Sequence, residues 1–395
     1  TAYGMATLEG PLLSLKNVNA IAHFTDWIVA HVHVGALGWN GFLIFGMMYW
    51  LVPRMWRTKL YSTQLANVHF WIGTLGIIFY ALPMYISGVV QSLMWKEFTT
   101  DGFLRYQNFL ETTAQILPMH MLRAVGGGLY LVGVFVMIYN LIKTAKSGAF
   151  EADETVEVAP MVRSAASGGW HHVLESKPIL FTVLAVVAIL IGGVMELVPT
   201  FLIKSNVPTI EAVKPYTPLE LEGRDIYIRE GCVGCHSQLV RPFRSEVQRY
   251  DPTYGEYSKS GEYVYDHPFL WGSKRTGPDL HRLGGKYADS WHFRHMLAPA
   301  EVSNGSIMPA YPWLYEQALD KSHTSDKIAA LRKIGVPYED GYESQAVADL
   351  DKQAGEIAAR LKAENYEIPA DAEIVALIAY LQRLGKDIRN KTASN

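Results

Sequence analysis

The stretch IVAHVHVGALGWNGFLIFGMMYWLV, residues 28–52, contains no Lys, Arg, Asp or Glu. A helix needs about 20 mostly apolar residues to cross the hydrocarbon core of a bilayer. This stretch is long enough, so it predicts a membrane-spanning helix. It also carries two histidines, His31 and His33, which are rare inside a membrane.

Three further apolar stretches follow, roughly at residues 65–95, 116–142 and 179–203, and Pro83 is expected to kink the first of them. Four such lengths within the first 205 residues argue against a buried globular core. The remainder of the chain is polar, charged and rich in Tyr, Gly and Pro. The sequence therefore predicts an all-α protein with four transmembrane helices and a separate domain after the last of them.

The distribution of basic residues predicts how these helices are oriented, because Lys and Arg collect at cytoplasmic helix ends. The loop between the second and third helices has more acidic than basic residues. The last helix then runs outward, which places the domain after about Lys204 outside the cytoplasmic membrane. The basic residues on the cytoplasmic side are Arg54, Arg57, Lys59, Lys143, Lys146, Arg163 and Lys177.

Charge and cysteine content exclude two classes of protein. The net charge is −3, from 35 basic and 38 acidic residues, so no nucleic-acid partner is expected. The 2 cysteines, Cys232 and Cys235, rule out a disulfide framework. The chain begins at Thr1 without a signal peptide pattern, so we expect a natural N-terminus that is missing or has been processed away.

The run Cys232-Val233-Gly234-Cys235-His236 is the C-x-x-C-H pattern of covalent haem c attachment. Two thiols add to the haem vinyl groups, and the adjacent histidine reaches the iron. A zinc site would need a second ligand pair, and the chain has no further cysteine. A thioredoxin-like pair would prefer a strand before it, whereas residues 222–230 predict a short helix. We therefore predict haem c, in the compartment where the orientation places this domain.

Two methionines follow His236, and either can supply the sixth iron ligand of an electron-transfer haem. Met308 lies in an irregular Gly/Pro loop that can present its sulfur to the iron, so we predict Met308 as the ligand. Met296 lies in a predicted helix and is expected to pack in the core. Residues 372–384 resemble the C-terminal helix of small cytochromes c. Gly277-Pro278-Asp279-Leu280 resembles the loop that borders the proximal histidine, so Pro278 is a predicted haem contact.

His31 and His33 lie about 200° apart around a helix and point to opposite sides, because each residue turns it by about 100°. They cannot readily bind one metal together, but each can hold a different cofactor. Both lie near the outer end of their helix.

Other polar residues occur at the same outer level. Arg123 is predicted to pair with a haem propionate, with His120 in support, and His23 precedes the first helix on this side. His69 lies near the cytoplasmic end and is predicted to serve packing or hydrogen bonding only.

These residues resemble the cbb3-type cytochrome c oxidases, the C-family haem–copper oxidases. Residues 1–146 resemble the last three helices of the catalytic subunit, through Thr25-Asp26-Trp27, His31-Val32-His33 and Gly35-Ala36-Leu37-Gly38-Trp39. Residues 177–320 resemble the membrane-anchored monohaem cytochrome c subunit. That likeness runs through residues 230–238, residues 271–278 and Ser306-Ile307-Met308-Pro309-Ala310-Tyr311-Pro312-Trp313.

The resemblance implies a set of cofactors. His31 would be the proximal ligand of the high-spin haem b, where oxygen is reduced, and is thus the catalytic residue. His33 would ligate the low-spin haem b, and His236 and Met308 would ligate haem c. Family members also carry calcium near the haem propionates, where Gly272–Ser273 would touch it. Electrons would come from a soluble cytochrome c or a dihaem cytochrome c subunit, with protons moved across a bacterial inner membrane.

The resemblance also divides the chain. The catalytic-subunit helices occupy residues 1–148, a cytoplasmic linker 149–176, an anchor 177–205 and the periplasmic cytochrome c domain 206–395. The copper-ligating histidines of the family are not among these residues, so we expect a C-terminal fragment or a chain that assembles with the remaining helices. Two alternative functions are a component of a nitric oxide reductase and an anchored electron carrier without haem b.

Overall fold

The computed structural model describes residues 1–150, 169–203, 208–250, 256–273 and 275–392. Within these residues the chain is helical, and β pairing is confined to isolated bridges. The all-α prediction is confirmed. Most of the predicted linker, residues 151–168, lies outside the described residues.

The N-terminal part consists of two short helices followed by long ones. The first membrane span is built from two α-helices joined by a π-helical segment, Val34–Gly41. The helices of this part are α1 (Ala2–Ser14), α2 (Lys16–Ala22), α3 (Asp26–His33), α4 (Phe42–Met55), α5 (Thr63–Lys96), α6 (Phe109–Lys146), α7 (Trp170–Glu175) and α8 (Pro178–Leu202).

The C-terminal part consists of shorter helices, with 3₁₀ turns at Ser260–Tyr263 and Tyr342–Ser344. Its helices are α9 (Pro218–Arg229), α10 (Cys232–Cys235), α11 (Arg244–Arg249), α12 (Asp289–Leu297), α13 (Pro299–Val302), α14 (Trp313–Glu316), α15 (Thr324–Lys333), α16 (Ala346–Ala363), α17 (Glu373–Arg383) and α18 (Lys386–Thr392).

Four helices of the described chain are long and apolar enough to span a membrane, as the sequence predicted. The first begins at Asp26 because the Thr25 hydroxyl accepts a hydrogen bond from the backbone N–H of Trp27, at 3.2 Å. The third is longer than its apolar stretch, since it continues through polar residues at both ends. Pro83 lies inside α5, which is one helix from Thr63 to Lys96.

Helices α1 and α2 were not predicted. Helix α1 contains Pro11 and buries only Leu13 among its residues, so it lacks the apolar stripe that makes a helix recognisable in a sequence. It lies beside the π-helical segment, and Trp27 donates a hydrogen bond from its indole N–H to Glu9 in α1.

Helices α5 and α6 pack along each other, and α3 packs on α5. Helix α8 differs, because no residue of its apolar window is buried against the described chain. In water such a surface would be costly, whereas lipid tails cover it without penalty. Helix α8 therefore has the properties of a single membrane anchor.

The C-terminal domain is organised around the packing of α9 on α17. Gly223 makes this contact possible, because a Cβ there would overlap the backbone carbonyl of Ala376 and lie 2.9 Å from the Cβ of Tyr380. Helix α16 covers the same core, because it buries one face there through Leu350, Ala354, Ile357 and Leu361. Its charges lie on the other face, as in an amphipathic helix.

Substituting Gly223→Ala should destabilise the C-terminal domain by about 3 kcal/mol, because α9 and α17 must move apart. Urea unfolding of the full chain in detergent, followed by near-UV circular dichroism, measures this. Gly355→Ala is the matched control. A Cβ at Gly355 meets no neighbour within 4 Å, and alanine favours a helix over glycine by about 1 kcal/mol. A loss of stability from both substitutions would contradict the proposed packing role of Gly223.

The stability of the C-terminal domain should fall as the pH drops from about 6.5 towards 4. Burial lowers the pKa of His292 to about 4, so folding favours its neutral form and each pH unit in this window costs about 1.4 kcal/mol. His292→Gln should make the urea midpoint less dependent on pH, with His295 contributing the remaining dependence because burial also lowers its pKa to about 4, whereas His323→Gln, at an exposed position, should leave the dependence unchanged. An equal slope in the His292 variant and the parent chain would refute the prediction.

Candidate haem sites

The loop that contains Pro278 holds the histidine of the C-x-x-C-H run, His236, in one orientation. Nδ1 of His236 lies 2.8 Å from the carbonyl oxygen of Pro278. A carbonyl can only accept, so Nδ1 carries the proton and Nε2 keeps its lone pair for a metal. The loop therefore borders His236, whereas the predicted contact of Pro278 with haem stays a prediction.

The same loop is fastened to the attachment helix through its backbone. The N–H groups of Thr276 and Gly277 donate to the carbonyl oxygen of Cys235, at 3.0 and 2.9 Å. Gly277 is required here, because a Cβ at this position would overlap the His236 ring. The ring is thus enclosed by backbone on its Nδ1 side.

The cysteines have the properties that haem attachment needs. Both are free thiols, and Cys232 is half-buried while Cys235 is exposed. Burial, with Glu230 nearby, raises the pKa of Cys232 to about 11, so its thiol stays protonated at neutral pH. This argues against a redox pair, which needs a thiolate. Among the described residues, the group of three side chains close enough together to share a metal ion lies elsewhere, at the exposed residues His171, His172 and Glu175.

The loop of Met308 lies beside this site. Met308 is partly buried against the same core that Cys232 and Leu280 contact. Two bonds hold the loop there: the backbone N–H of Tyr311 donates to the carbonyl oxygen of Met296, at 2.8 Å, and Trp313 donates its indole N–H to Glu230, at 3.0 Å. Met296 is buried in the core, as predicted.

One histidine near this site was missed in the sequence. The Nδ1 atom of His295 is buried without a hydrogen-bond partner in the described structure, and its ring stacks on Trp291, with centroids 4.5 Å apart. Burial, and the neighbouring His236, lower its pKa to about 4, so the ring is neutral. An unpaired buried nitrogen beside His236 fits a pocket that holds a polar group. Together with Cys232, Cys235 and Met308, these residues fit haem c.

His31 and His33 have different partners on different sides of α3. Nδ1 of His31 lies 3.1 Å from a carboxylate oxygen of Glu9, and His31 also lines an open groove beside α1. Nδ1 of His33 donates to the carbonyl oxygen of Val29, at 2.8 Å, and its Nε2 lies 3.1 Å from the Tyr80 hydroxyl. His31 therefore fits a haem iron as it stands, whereas His33 does so only if Tyr80 moves.

Glu9 was also missed. It contacts His31, the Trp27 indole and the Tyr85 hydroxyl, which lies 2.6 Å away. It is the single acidic residue before Asp26, and this isolation in an apolar segment was the available signal. A carboxylate bonded to a metal-binding histidine orients the ring and raises its basicity.

A buried carboxylate at the start of α3 joins three of the membrane helices. Asp26 accepts hydrogen bonds from the Ser87 hydroxyl, the Gln91 amide and the Nε2 atom of His120, at 2.6, 3.1 and 2.7 Å. His120 was predicted to support Arg123, and the structure pairs it with Asp26 because the carboxylate lies opposite it.

The other predicted residues at this level have smaller contacts. Arg123 contacts the sulfur of Met84, at 3.6 Å, and the ring of His23 stacks on Phe24, with centroids 3.9 Å apart. Their predicted haem contacts, and that of Gly272–Ser273 with calcium, stay predictions. His69 is buried and lies 3.1 Å from the Tyr49 hydroxyl, in line with its predicted structural role.

Two protein-family models match the chain. The model for cytochrome c oxidase, mono-heme subunit/FixO, matches residues 171–388, and the model for cytochrome c and quinol oxidase polypeptide I matches residues 1–129. The first of these covers more than half of the chain.

Curated relatives match the N-terminal part. The chain is 50% identical over 159 residues to a cytochrome c oxidase subunit 1 homolog, bacteroid, of Bradyrhizobium diazoefficiens, covering 40% of this chain and 29% of that protein. It is 40% identical over 159 residues to the cbb3-type subunit CcoN1 of Stutzerimonas stutzeri, covering 40% of this chain and 33% of that protein. A nitric oxide reductase polypeptide of the same organism is more distant, at 25% identity over 145 residues, or 35% of this chain and 30% of that protein.

The chain thus spans about a third of the length of these relatives, and it joins their type of sequence to a mono-haem subunit sequence in one polypeptide. Both family models describe polypeptides of cytochrome c oxidases. On these grounds, the chain belongs to the cbb3-type cytochrome c oxidase family.

Proposed function

We propose that this chain is the electron-entry part of a cbb3-type oxidase, with haem c on Cys232, Cys235, His236 and Met308. The observation that carries the proposal is the hydrogen bond from His236 Nδ1 to the Pro278 carbonyl, which leaves the lone pair of Nε2 free to bind a metal. The loop of Met308 lies beside the same cysteines. The electron donor is a soluble cytochrome c or a dihaem cytochrome c subunit.

The membrane part would receive the electron. His33 would ligate a low-spin haem b and His31 a high-spin haem b, and bound haems supply one-electron redox chemistry. The residues of this chain orient the ligands: Glu9 accepts from Nδ1 of His31, and the Val29 carbonyl accepts from Nδ1 of His33. Copper and the rest of the oxygen-reducing site would belong to the remaining helices of the catalytic subunit, with proton translocation as the outcome.

The location follows from the same reasoning. Four apolar helices place the chain in a membrane. The basic residues near α4, α6 and α8 support a cytoplasmic location for those ends, and hence a periplasmic C-terminal domain in a bacterial inner membrane. Haem c attachment outside the cytoplasm agrees with this topology.

A second candidate function is an anchored electron carrier that holds no haem b. The Tyr80 hydroxyl favours it, because this group occupies the Nε2 atom through which His33 would bind iron. The two functions differ in haem content, which can be measured directly.

Replacing Met308 with alanine should lower the midpoint potential of haem c, because a thioether ligand opposite histidine raises it. Met296→Leu is the control, since Met296 packs in the core and a volume-conserving change should leave the potential unchanged. Redox titration of the purified full chain measures both. A lowered potential in the Met296 variant alone would reverse the ligand assignment.

The pyridine haemochrome spectrum of the purified full chain should show haem b beside haem c. His31→Ala and His33→Ala should each lose haem b, whereas His69→Gln should keep it, since His69 only contacts Tyr49 and aromatic rings. Tyr80→Phe should retain at least as much haem b as the parent, because it frees Nε2 of His33. Haem c without haem b in the parent chain would support the carrier instead.

A further inference from the structure

The C-terminal domain contacts the membrane helices through a buried arginine. Arg275 is 3% exposed, and its guanidinium lies over the indole of Trp95, with Cζ 4.1 Å from the ring centroid. Trp95 lies in the last turn of α5 and is itself buried. A desolvated cation over the face of a tryptophan is strongly attracted to the ring. This contact therefore joins the two parts of the chain.

The backbone of Arg275 belongs to the haem-attachment site. It pairs with His236 in an antiparallel bridge, and the next residue, Thr276, donates its N–H to Cys235. One residue thus links the proximal histidine, through its backbone, to the outer end of α5, through its side chain.

Glu246 in α11 holds the guanidinium in place. It forms ion pairs with Arg275 and, at 3.5 Å, with Arg249, and all three side chains are buried. Burial alone would raise the pKa of Glu246, but the two guanidinium groups lower it to about 2, so it stays ionised. Removing one member of such a buried cluster would leave a buried charge unpaired, at a high cost in free energy. The arrangement of the three side chains is therefore strongly favoured.

Helix α11 also forms hydrogen bonds with the loop between α5 and α6. Gln248 donates to the carbonyl oxygen of Gly102, at 2.8 Å, and Arg249 to that of Gln107, at 3.1 Å. Arg244 donates to Gly102 as well and lies over the ring of Phe98, 4.4 Å from its centroid. Residues 97–108 are therefore held by the C-terminal domain at several points.

We propose that the Arg275–Trp95 contact is a positioning contact, which holds the haem-attachment loop at a fixed separation from His31 and His33. The connection continues inside the membrane part, because Gln91 of α5 accepts a hydrogen bond from the backbone N–H of Asp26, where α3 begins, at 2.6 Å. This role rests on the proposed function. The one-electron transfer would take place between bound haem c and bound low-spin haem b, so Arg275 would contribute only position and would keep its charge and its protons.

The first test uses hydrogen–deuterium exchange in the full chain. Arg275→Met and Trp95→Leu should each raise the exchange rate of amides in residues 97–108 about tenfold, which corresponds to about 1.4 kcal/mol. Trp95→Leu changes no residue of the C-terminal domain and keeps the Arg275–Glu246 ion pair, so it remains informative if Arg275→Met folds poorly. Arg275→Lys, which keeps the charge, should restore part of the protection.

Two variants serve as matched controls. Trp71→Leu changes an exposed tryptophan of the same helix, and Arg332→Met changes an arginine that pairs with Asp340 and Glu343 away from the junction. Both should exchange like the parent chain. Unchanged exchange in Arg275→Met and Trp95→Leu would overturn the proposal, and this result does not depend on whether the chain holds haem b.

The second readout uses the assembled oxidase. The rate of electron transfer from haem c to haem b should fall in Trp95→Leu while the midpoint potential of haem c stays unchanged, because the contact sets distance and not ligation. A parental rate, or a shifted potential, would overturn the positioning role. If the assembled protein proves to lack haem b, the proposed function fails, and the exchange experiment still decides whether the contact exists in solution.

Discussion

The hydrocarbon core of a bilayer offers no hydrogen-bond partners, and most of this structure follows from that constraint. Each membrane segment is helical because a helix satisfies its own backbone groups. Polar side chains inside such a medium must then find partners on neighbouring helices. Asp26 shows the result, because hydrogen bonds from α5 and α6 converge on one carboxylate at the start of α3.

The C-terminal domain follows a different rule, since its helices bury their apolar faces against one core. It is held by the close approach of α9 and α17 at Gly223, with α16 covering the same core. This packing leaves α10 and the Pro278 loop at the edge of the core, where a histidine can be buried on one side and open on the other. Arg275 lies where the membrane helices contact the C-terminal domain. Its charged group can be buried there because an aromatic face and a carboxylate both contact it.

Features with a linear signature could be predicted from the sequence. Four apolar stretches gave the membrane helices, and the contrast between a Gly/Pro loop and a helical repeat correctly placed Met296 in the core. Contacts between residues far apart in the chain could not be predicted. Glu9, Tyr80 and the pairing of Asp26 with His120 each depend on how helices pack, and no local pattern encodes that packing.

The π-helical segment, Val34–Gly41, divides the first span into two halves that follow separate registers. The half before this segment carries the two histidines, and the half after it carries the aromatic residues that contact α5 and α6. The π-helical turns between the two halves are wider than α-helical turns. They can therefore take up a difference in rotation about the helix axis that a continuous α-helix would carry along its whole length. The direction in which His31 and His33 point is therefore not fixed by the direction in which the aromatic residues of the other half point.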